Sequence, residues 1–181
     1  MTAVVAELPT GAQALALFQI PATAENFVVK ERFSTVNPSL NLVDVDRSFI
    51  DFFGGLVEGP QVLSSAYTRL LPRRMRDGNI LSRMAGGESK AFLSMYAVYY
   101  LLEQELIQGA GFLVDDGKAN IFYVYDQEKV PRALSFHVIN RNPRHGLRLR
   151  VNPVVNADAY RSRFDYWEAG CRVYAAAPLH F

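Results

Sequence analysis

Cysteine is nearly absent from this chain, with Cys171 the only one in 181 residues. A single thiol excludes an internal disulfide and suits a reducing compartment. The opening residues, MTAVVAELP, contain no basic segment of the kind that begins a signal peptide. Apolar runs also fall short of the roughly 20 residues that cross a bilayer. We therefore expect a protein that does not contact membranes and lies in the cytoplasm, or in the host cytoplasm if the chain is viral.

Histidine is scarce as well, and the three residues His137, His145 and His180 stand far apart. No pair of them has the spacing of zinc ligands, and Cys171 has no second thiol nearby in the sequence. The GGESK segment at 86–90 lacks the pattern of a phosphate-binding loop. We expect a non-catalytic protein without cofactor or metal. A catalytic pair formed in space stays open, with His137 or His145 the first to test.

The net charge of +1 conceals an uneven distribution. Residues 69–90 hold six bases and two acids, and residues 132–172 hold eight arginines and three acids. The rest of the chain holds five bases and thirteen acids, so the three balances are +4, +5 and −8. Fifteen of the nineteen basic residues are arginine, whose planar fork binds phosphate or carboxylate and stacks on rings.

The longest regular pattern lies between glycines, at about 88–108. It contains no Pro or Gly, and its apolar residues recur every three or four positions, which predicts a helix. Gly87 or Ser89 would cap its start, and Gly109 would end it. Four rings form a second stripe, which we expect to pack in the core, with a base-stacking platform as the alternative. These are Phe92, Tyr96, Tyr99 and Tyr100.

Beyond this helix the hydrophobic period changes to two residues. Alternating runs at about 112–151, with Asp-Gly at 116–117, predict an antiparallel β-meander. The predicted fold is α+β: one domain over 1–181, with the meander packed on a long central helix. Short N-terminal helices would follow Thr10, Asp44 or Asp46, and Pro60, the last running to about Leu71. Residues 1–9 are expected to form a flexible arm, and residues 72–87 an exposed loop.

The feature with most functional content is arginine interleaved with aromatic residues. Arg148 and Arg150 lie two apart in a predicted strand and therefore share one face of the sheet. If that face also bears Tyr123, Tyr125 or His137, phosphate partners and stacking rings meet on one surface, as in proteins that bind single strands. The remaining candidate contacts lie in loops and near the C-terminus. They are Arg73, Arg74, Arg76, Arg141, Arg144, Arg161 and Arg163.

Three segments carry a resemblance in composition: RRMR at 73–76, NRNPRHGLRLR at 140–150 and YRSRF at 160–164. Together with the aromatic-rich helix and the single cysteine, they resemble small phage-encoded single-stranded-DNA-binding proteins of non-standard fold. The resemblance implies binding of single-stranded nucleic acid, DNA first, in phage replication or transcription regulation. The surplus of aromatic rings predicts a homo-oligomer, which cooperative binding along a strand would need. The alternative is a virion, structural or assembly protein whose arginine-rich loops contact an acidic protein partner.

Overall fold

The computed structural model describes residues 16–83, 91–108, 113–141, 144–154 and 166–177. Its strands are Ala16–Ile20 (β1), Phe27–Val28 (β2), Leu42–Val45 (β3), Val57–Glu58 (β4), Ser64–Leu70 (β5), Asn120–Tyr125 (β6), Pro131–Arg141 (β7), Arg144–Pro153 (β8) and Arg172–Ala176 (β9). Its helices are Val29–Arg32 (α1), Arg47–Phe53 (α2), Asp77–Arg83 (α3) and Met95–Gln108 (α4).

Seven of these strands form one mixed sheet in the order β1-β5-β9-β6-β7-β8-β3. The pairs β6–β9 and β3–β8 are parallel, and the other four pairs are antiparallel. β2 and β4 form a separate two-stranded sheet. The predicted architecture, a meander on a long central helix, is therefore wrong. The sheet is the largest element, and it includes strands from both ends of the described chain.

The run at 88–108 is not one long helix. Phe92–Ser94 is not helical, and α4 begins at Met95. The backbone N–H groups of Met95 and Tyr96 donate to the two carboxylate oxygens of Glu58, at 2.7 and 2.9 Å. Ser94 Oγ accepts from the N–H of Ala97 at 3.1 Å, the bond that an N-cap makes. The helix starts at Met95 because these oxygens accept hydrogen bonds from its first N–H groups. The sequence around residues 88–95 does not reveal this start, because Glu58 is distant in the chain.

The helix predicted from Pro60 to about Leu71 is mostly strand, and the helix predicted after Thr10 ends in strand from Ala16 onward; its first residues, like the arm expected at 1–9, lie outside the described part of the chain. Ala16–Ile20 pairs with β5, and β5 occupies most of the region from Pro60 to Leu71. Strand partners on both sides of β5 outweigh its helix signals, because each partner satisfies a row of backbone groups. The helix after Asp46 is confirmed as α2, since Asp46 Oδ1 accepts from Ser48 N at 3.0 Å. The expected loop at 72–87 contains α3.

The β-meander also loses its first strand. Leu113 and Val114 form no strand, and β6 pairs instead with β7 on one side and with β9 on the other. Asn120 holds the preceding segment in place, because its side chain bonds both the N–H and the C=O of Val114. The chain around Asp116 and Gly117 therefore passes beside the end of the sheet and makes no hairpin.

The two sides of the sheet differ in what covers them. Face A, which carries Phe122, Phe136 and Leu149, packs against α1, α2 and α4 in the larger apolar cluster. Face B carries Tyr123, Ser135 and Arg148 in the alternate positions. On face B, α3 packs over the strands β5, β9 and β6. We name this part of face B, formed by β5, β9 and β6, the covered half. We name the other part of face B, formed by the strands β7, β8 and β3, the open half; it carries the polar residues described below.

Candidate nucleic-acid interface

The open half of face B brings together Arg148, Arg150 and His137. Arg148 and Arg150 alternate with the buried Leu149, so both project from face B. In the β7–β8 register, His137 lies opposite Arg148 and Ser135 lies opposite Arg150. The strand β8 thus presents two guanidinium groups beside the imidazole, as its alternation predicts.

Both arginines form an ion pair with Asp44 of β3. Arg148 Nε lies 3.0 Å and Arg150 Nη2 lies 2.9 Å from the same atom, Asp44 Oδ2. The parallel register of β3 with β8 sets Asp44 opposite Arg148. The three side chains stay 45%, 38% and 40% exposed, in the order Arg148, Arg150, Asp44. Two cations sharing one carboxylate leave an excess of one positive charge at a wet surface.

His137 forms one wall of a cavity of about 500 Å³ with Asp115, Gly117, Arg148 and Arg150. Its Nδ1 lies 3.3 Å from the carbonyl oxygen of Gly117. Burial lowers the pKa of His137, and the charges of Arg148 and Arg150 lower it further, against the opposing effect of the Gly117 bond. The imidazole is therefore neutral at pH 7, and this edge of the sheet has a titratable group beside its two fixed cations.

A second basic cluster lies at the covered half, around Tyr166. The guanidinium carbons of Arg74 and Arg76 lie 4.5 and 4.6 Å from the centre of the Tyr166 ring. Arg74 Nε also lies 3.2 Å from Glu168 Oε1. Arg73 is exposed next to them. The ring and the carboxylate therefore belong to the protein's own contacts with these arginines.

The two clusters lie at the same end of the sheet but not at the same place. Leu71 N bonds Cys171 O, and Arg172 N bonds Ala119 O, so the strand ends follow one another across the sheet. His137 lies one residue beyond the last β6 partner, Phe136, at this same end. Four strand spacings separate β5 from β8, which is roughly 19 Å. The arginines thus form two separate patches at this end of the sheet and not one continuous surface.

The predicted stacking rings are not in the open half. Tyr123 is fully buried, and its hydroxyl donates to Asp77 Oδ1 at 2.7 Å, so it has no face to offer a base. Tyr125 is 42% exposed, but it stacks on Phe92 with ring centres 4.2 Å apart. It pairs with Pro131, six residues along β7 from His137, or roughly 20 Å away. Tyr123 and Tyr125 therefore do not meet Arg148 and Arg150.

The rings of α4 also serve the core, as expected. Tyr99 contacts Phe27 and Phe33 with ring centres 5.5 and 5.9 Å apart. Tyr96 contacts Phe27 at 5.7 Å. Tyr99 is buried and therefore cannot stack on a base, which weakens the alternative that this helix is a base-stacking platform.

Four predicted arginines lie at or outside the limits of the description. Arg141 and Arg144 pair with each other at the tip of the β7–β8 ribbon, where only the backbone is described. Arg161 and Arg163 lie outside the described residues. Asp44 was not predicted as a site residue, because its position before a short apolar run indicated only a helix cap. No residue pattern pointed to its pairing with Arg148 and Arg150.

The described residues contain no group of three or more His, Cys, Asp or Glu side chains that would hold a metal ion. In the same part of the chain, no helix has both the length and the apolar character needed to cross a membrane. The chain matches no protein-family model, no curated protein and no solved structure. The function is therefore inferred from the composition and geometry of this chain, in which the open half is the most basic described surface of the sheet that is bare of a covering helix.

Proposed function

We propose that this protein binds single-stranded nucleic acid, DNA in the first instance, and that the open half of face B holds the phosphates. Arg148 and Arg150 are the principal contacts, and the protein carries out no catalysis. Both side chains project from a strand with core contacts on its other face, so their spacing is fixed before a ligand arrives. Oligomerisation remains a prediction, which cooperative binding along a strand would require.

The observation that carries this proposal is the charge of the β7–β8 ribbon. Residues 131–153 contain five arginines and neither aspartate nor glutamate. Arg132 takes no part, because it bonds Asp126 at 2.9 Å and lies over the Phe52 ring. The acid that faces Arg148 and Arg150 comes from another strand, β3. A surface that is only solvated usually carries charges of both signs. A ribbon whose charged residues are all arginine is better explained by a polyanionic ligand.

Asp44 does not prevent such binding. An ion pair between side chains about 40% exposed contributes only about 0.2–1 kcal/mol in water. Arg148 and Arg150 together have ten N–H donors, and the Asp44 contacts engage one nitrogen of each. A phosphate oxygen can therefore join the cluster or replace the carboxylate at small cost.

The test is a titration of labelled oligo-dT at several salt concentrations. The logarithm of the affinity should fall with the logarithm of the salt concentration, with a slope of about −0.7 for each phosphate neutralised. Replacing both Arg148 and Arg150 with alanine should reduce that slope by about 1.4 and weaken binding to oligo-dT and oligo-dA alike. A duplex of the same length serves as the competitor.

The matched control is Lys30→Ala. Lys30 is an exposed base on α1, which packs on face A. Its removal changes the net charge by one without touching the open half, so the salt slope should stay that of the native protein. Equal losses from Lys30→Ala and from Arg148→Ala, which removes the same single charge, would mean that only net charge matters. Absence of oligo-dT binding at low salt would end the proposal.

An acidic protein partner is the second candidate. The observation that favours it is the separation of Tyr123 and Tyr125 from the arginines, because a protein carboxylate needs no stacking ring. Asp44 already shows a carboxylate bound by both guanidinium groups. An acidic peptide that displaces no oligo-dT excludes competition for this surface, whereas an affinity for the peptide well above that for oligo-dT would favour the protein partner.

A further inference from the structure

We propose that the cavity beside His137 is a subsite for one phosphodiester group, and that His137 holds this group as an imidazolium, so that binding takes up a proton. This inference rests on the proposed function and concerns the same surface. It assigns His137 a direct role in binding and makes the affinity for the strand dependent on pH.

The cavity has the size and lining for a phosphodiester. It measures about 500 Å³ and lies between the Asp115–Gly117 segment and the strands β7 and β8. Arg148 and Arg150 line it together with His137. A ligand group in this space lies within reach of the two guanidinium groups and the imidazole together.

The contact with Gly117 fixes which ring nitrogen is protonated. A carbonyl oxygen only accepts hydrogen bonds, so Nδ1 of His137 carries the hydrogen in the 3.3 Å contact. In the neutral ring, Nε2 is then an acceptor. The oxygens of a phosphodiester are acceptors too, so Nε2 can bond one of them only after it takes up a proton.

Six charged side chains lie around His137, three of each sign, so a bound phosphodiester leaves an excess of one negative charge. Among the described residues, Arg148 and Arg150 of β8 and Asp44 of β3 face this region, with Asp115, Asp116 and Lys118 in the adjoining loop. In the free protein, burial and the two arginines lower the pKa of His137. A phosphodiester adds a negative charge beside the ring, which offsets the arginines and raises that pKa.

The experiment measures the affinity for a twelve-residue oligo-dT without terminal phosphates at pH 5.5, 6.5 and 7.5 and constant ionic strength. Native protein should bind more tightly as the pH falls, by up to about tenfold per pH unit, the limit for one proton. His137→Gln should bind with the same affinity at all three pH values, because glutamine keeps a donor for Gly117 O but does not titrate. His145→Gln should behave as the native protein does.

A second measurement needs no variant, because it compares the native protein with and without oligo-dT. The His137 ring signals, followed by NMR, should titrate at higher pH with the oligo-dT bound than without it. An unchanged midpoint, a pH response lost in His145→Gln, or a response confined to oligonucleotides with a terminal phosphate would each overturn the subsite. In all three cases binding itself persists, so the proposed function stands. No binding at any pH would overturn both.

Discussion

The covered and open halves of face B share one sheet but have opposite environments. In the covered half, Tyr123 lies under α3 and the Met75–Trp167 bridge, with no exposed surface. In the open half, Arg148 and Arg150 have the same alternate positions on their strand and remain exposed to water. Alternation along a strand determines which face a side chain takes, whereas an element elsewhere in the chain determines whether that face is buried.

A buried carboxylate holds the covered half together. Asp77 Oδ1 accepts from the Tyr123 hydroxyl and from Trp167 Nε1, both at 2.7 Å. These bonds join α3, β6 and the segment before β9. In the open half the corresponding carboxylate, Asp44, is about 40% exposed and binds cations. A carboxylate therefore stabilises the core in the covered half, whereas in the open half it reduces the positive charge of the surface.

Removing the buried carboxylate should have the largest effect. Asp77→Ala leaves the Tyr123 and Trp167 donors without this acceptor, and we expect a loss of about 3 kcal/mol in the free energy of unfolding. Urea denaturation measures it. Asp51→Ala, at an exposed position of α2, is the control and should change stability by less than about 0.5 kcal/mol. Equal effects of the two changes would contradict the distinct role of Asp77.

Removing the exposed carboxylate should affect binding and not folding. Asp44→Asn frees Arg148 and Arg150 from their shared ion pair, so we expect an affinity for oligo-dT about fivefold higher, or roughly 1 kcal/mol. The free energy of unfolding should fall by no more than about 1 kcal/mol. A weaker affinity in Asp44→Asn would show that the carboxylate positions the arginines and does not compete with the ligand.

Acid should destabilise the open half through His137 by a smaller amount. Its pKa is lowered in the folded protein, so between that value and the ordinary 6.5 the unfolded chain binds more protons. Stability therefore rises with pH through this window and is lost as the pH falls through it. The difference in stability between native protein and His137→Gln, measured from pH 7.5 to 5, should show this slope. A difference independent of pH would contradict the burial of the neutral ring.

Tyr125 should matter least for binding. Its ring is stacked on Phe92 and lies roughly 20 Å from His137. We expect Tyr125→Ala to leave the affinity for oligo-dT within about twofold of the native value, in fluorescence titrations at one salt concentration. A loss of tenfold or more would extend the interface across the whole of face B.

Part of this arrangement was accessible from the sequence. The alternation of β8 correctly places Arg148 and Arg150 on one face, and Asp46 correctly marks the start of α2. The start of α4 and the burial of Tyr123 were not accessible, because they depend on Glu58 and Asp77. Such partners are distant in sequence and are brought close only by the order of the strands.

The same limit applies to the candidate site. Arginine spacing along β8 predicts a basic surface, but Asp44 reaches it only because β3 adds in parallel at the edge of the sheet. Parallel neighbours need a long connection, so no local pattern reveals this pairing. The basic residues form two patches and do not meet on one surface, because β5 and β8 are four positions apart in the order of the sheet.

The most direct measurement is an NMR titration of the labelled protein with oligo-dT, following backbone amides and the arginine Nε–H groups. The account predicts that the largest shifts fall on His137, Arg148, Arg150 and their neighbours in β7 and β8, with little change in α3 or α4. Shifts concentrated on α4, or around Tyr166 in the covered half, would contradict the assignment of the open half as the nucleic-acid interface.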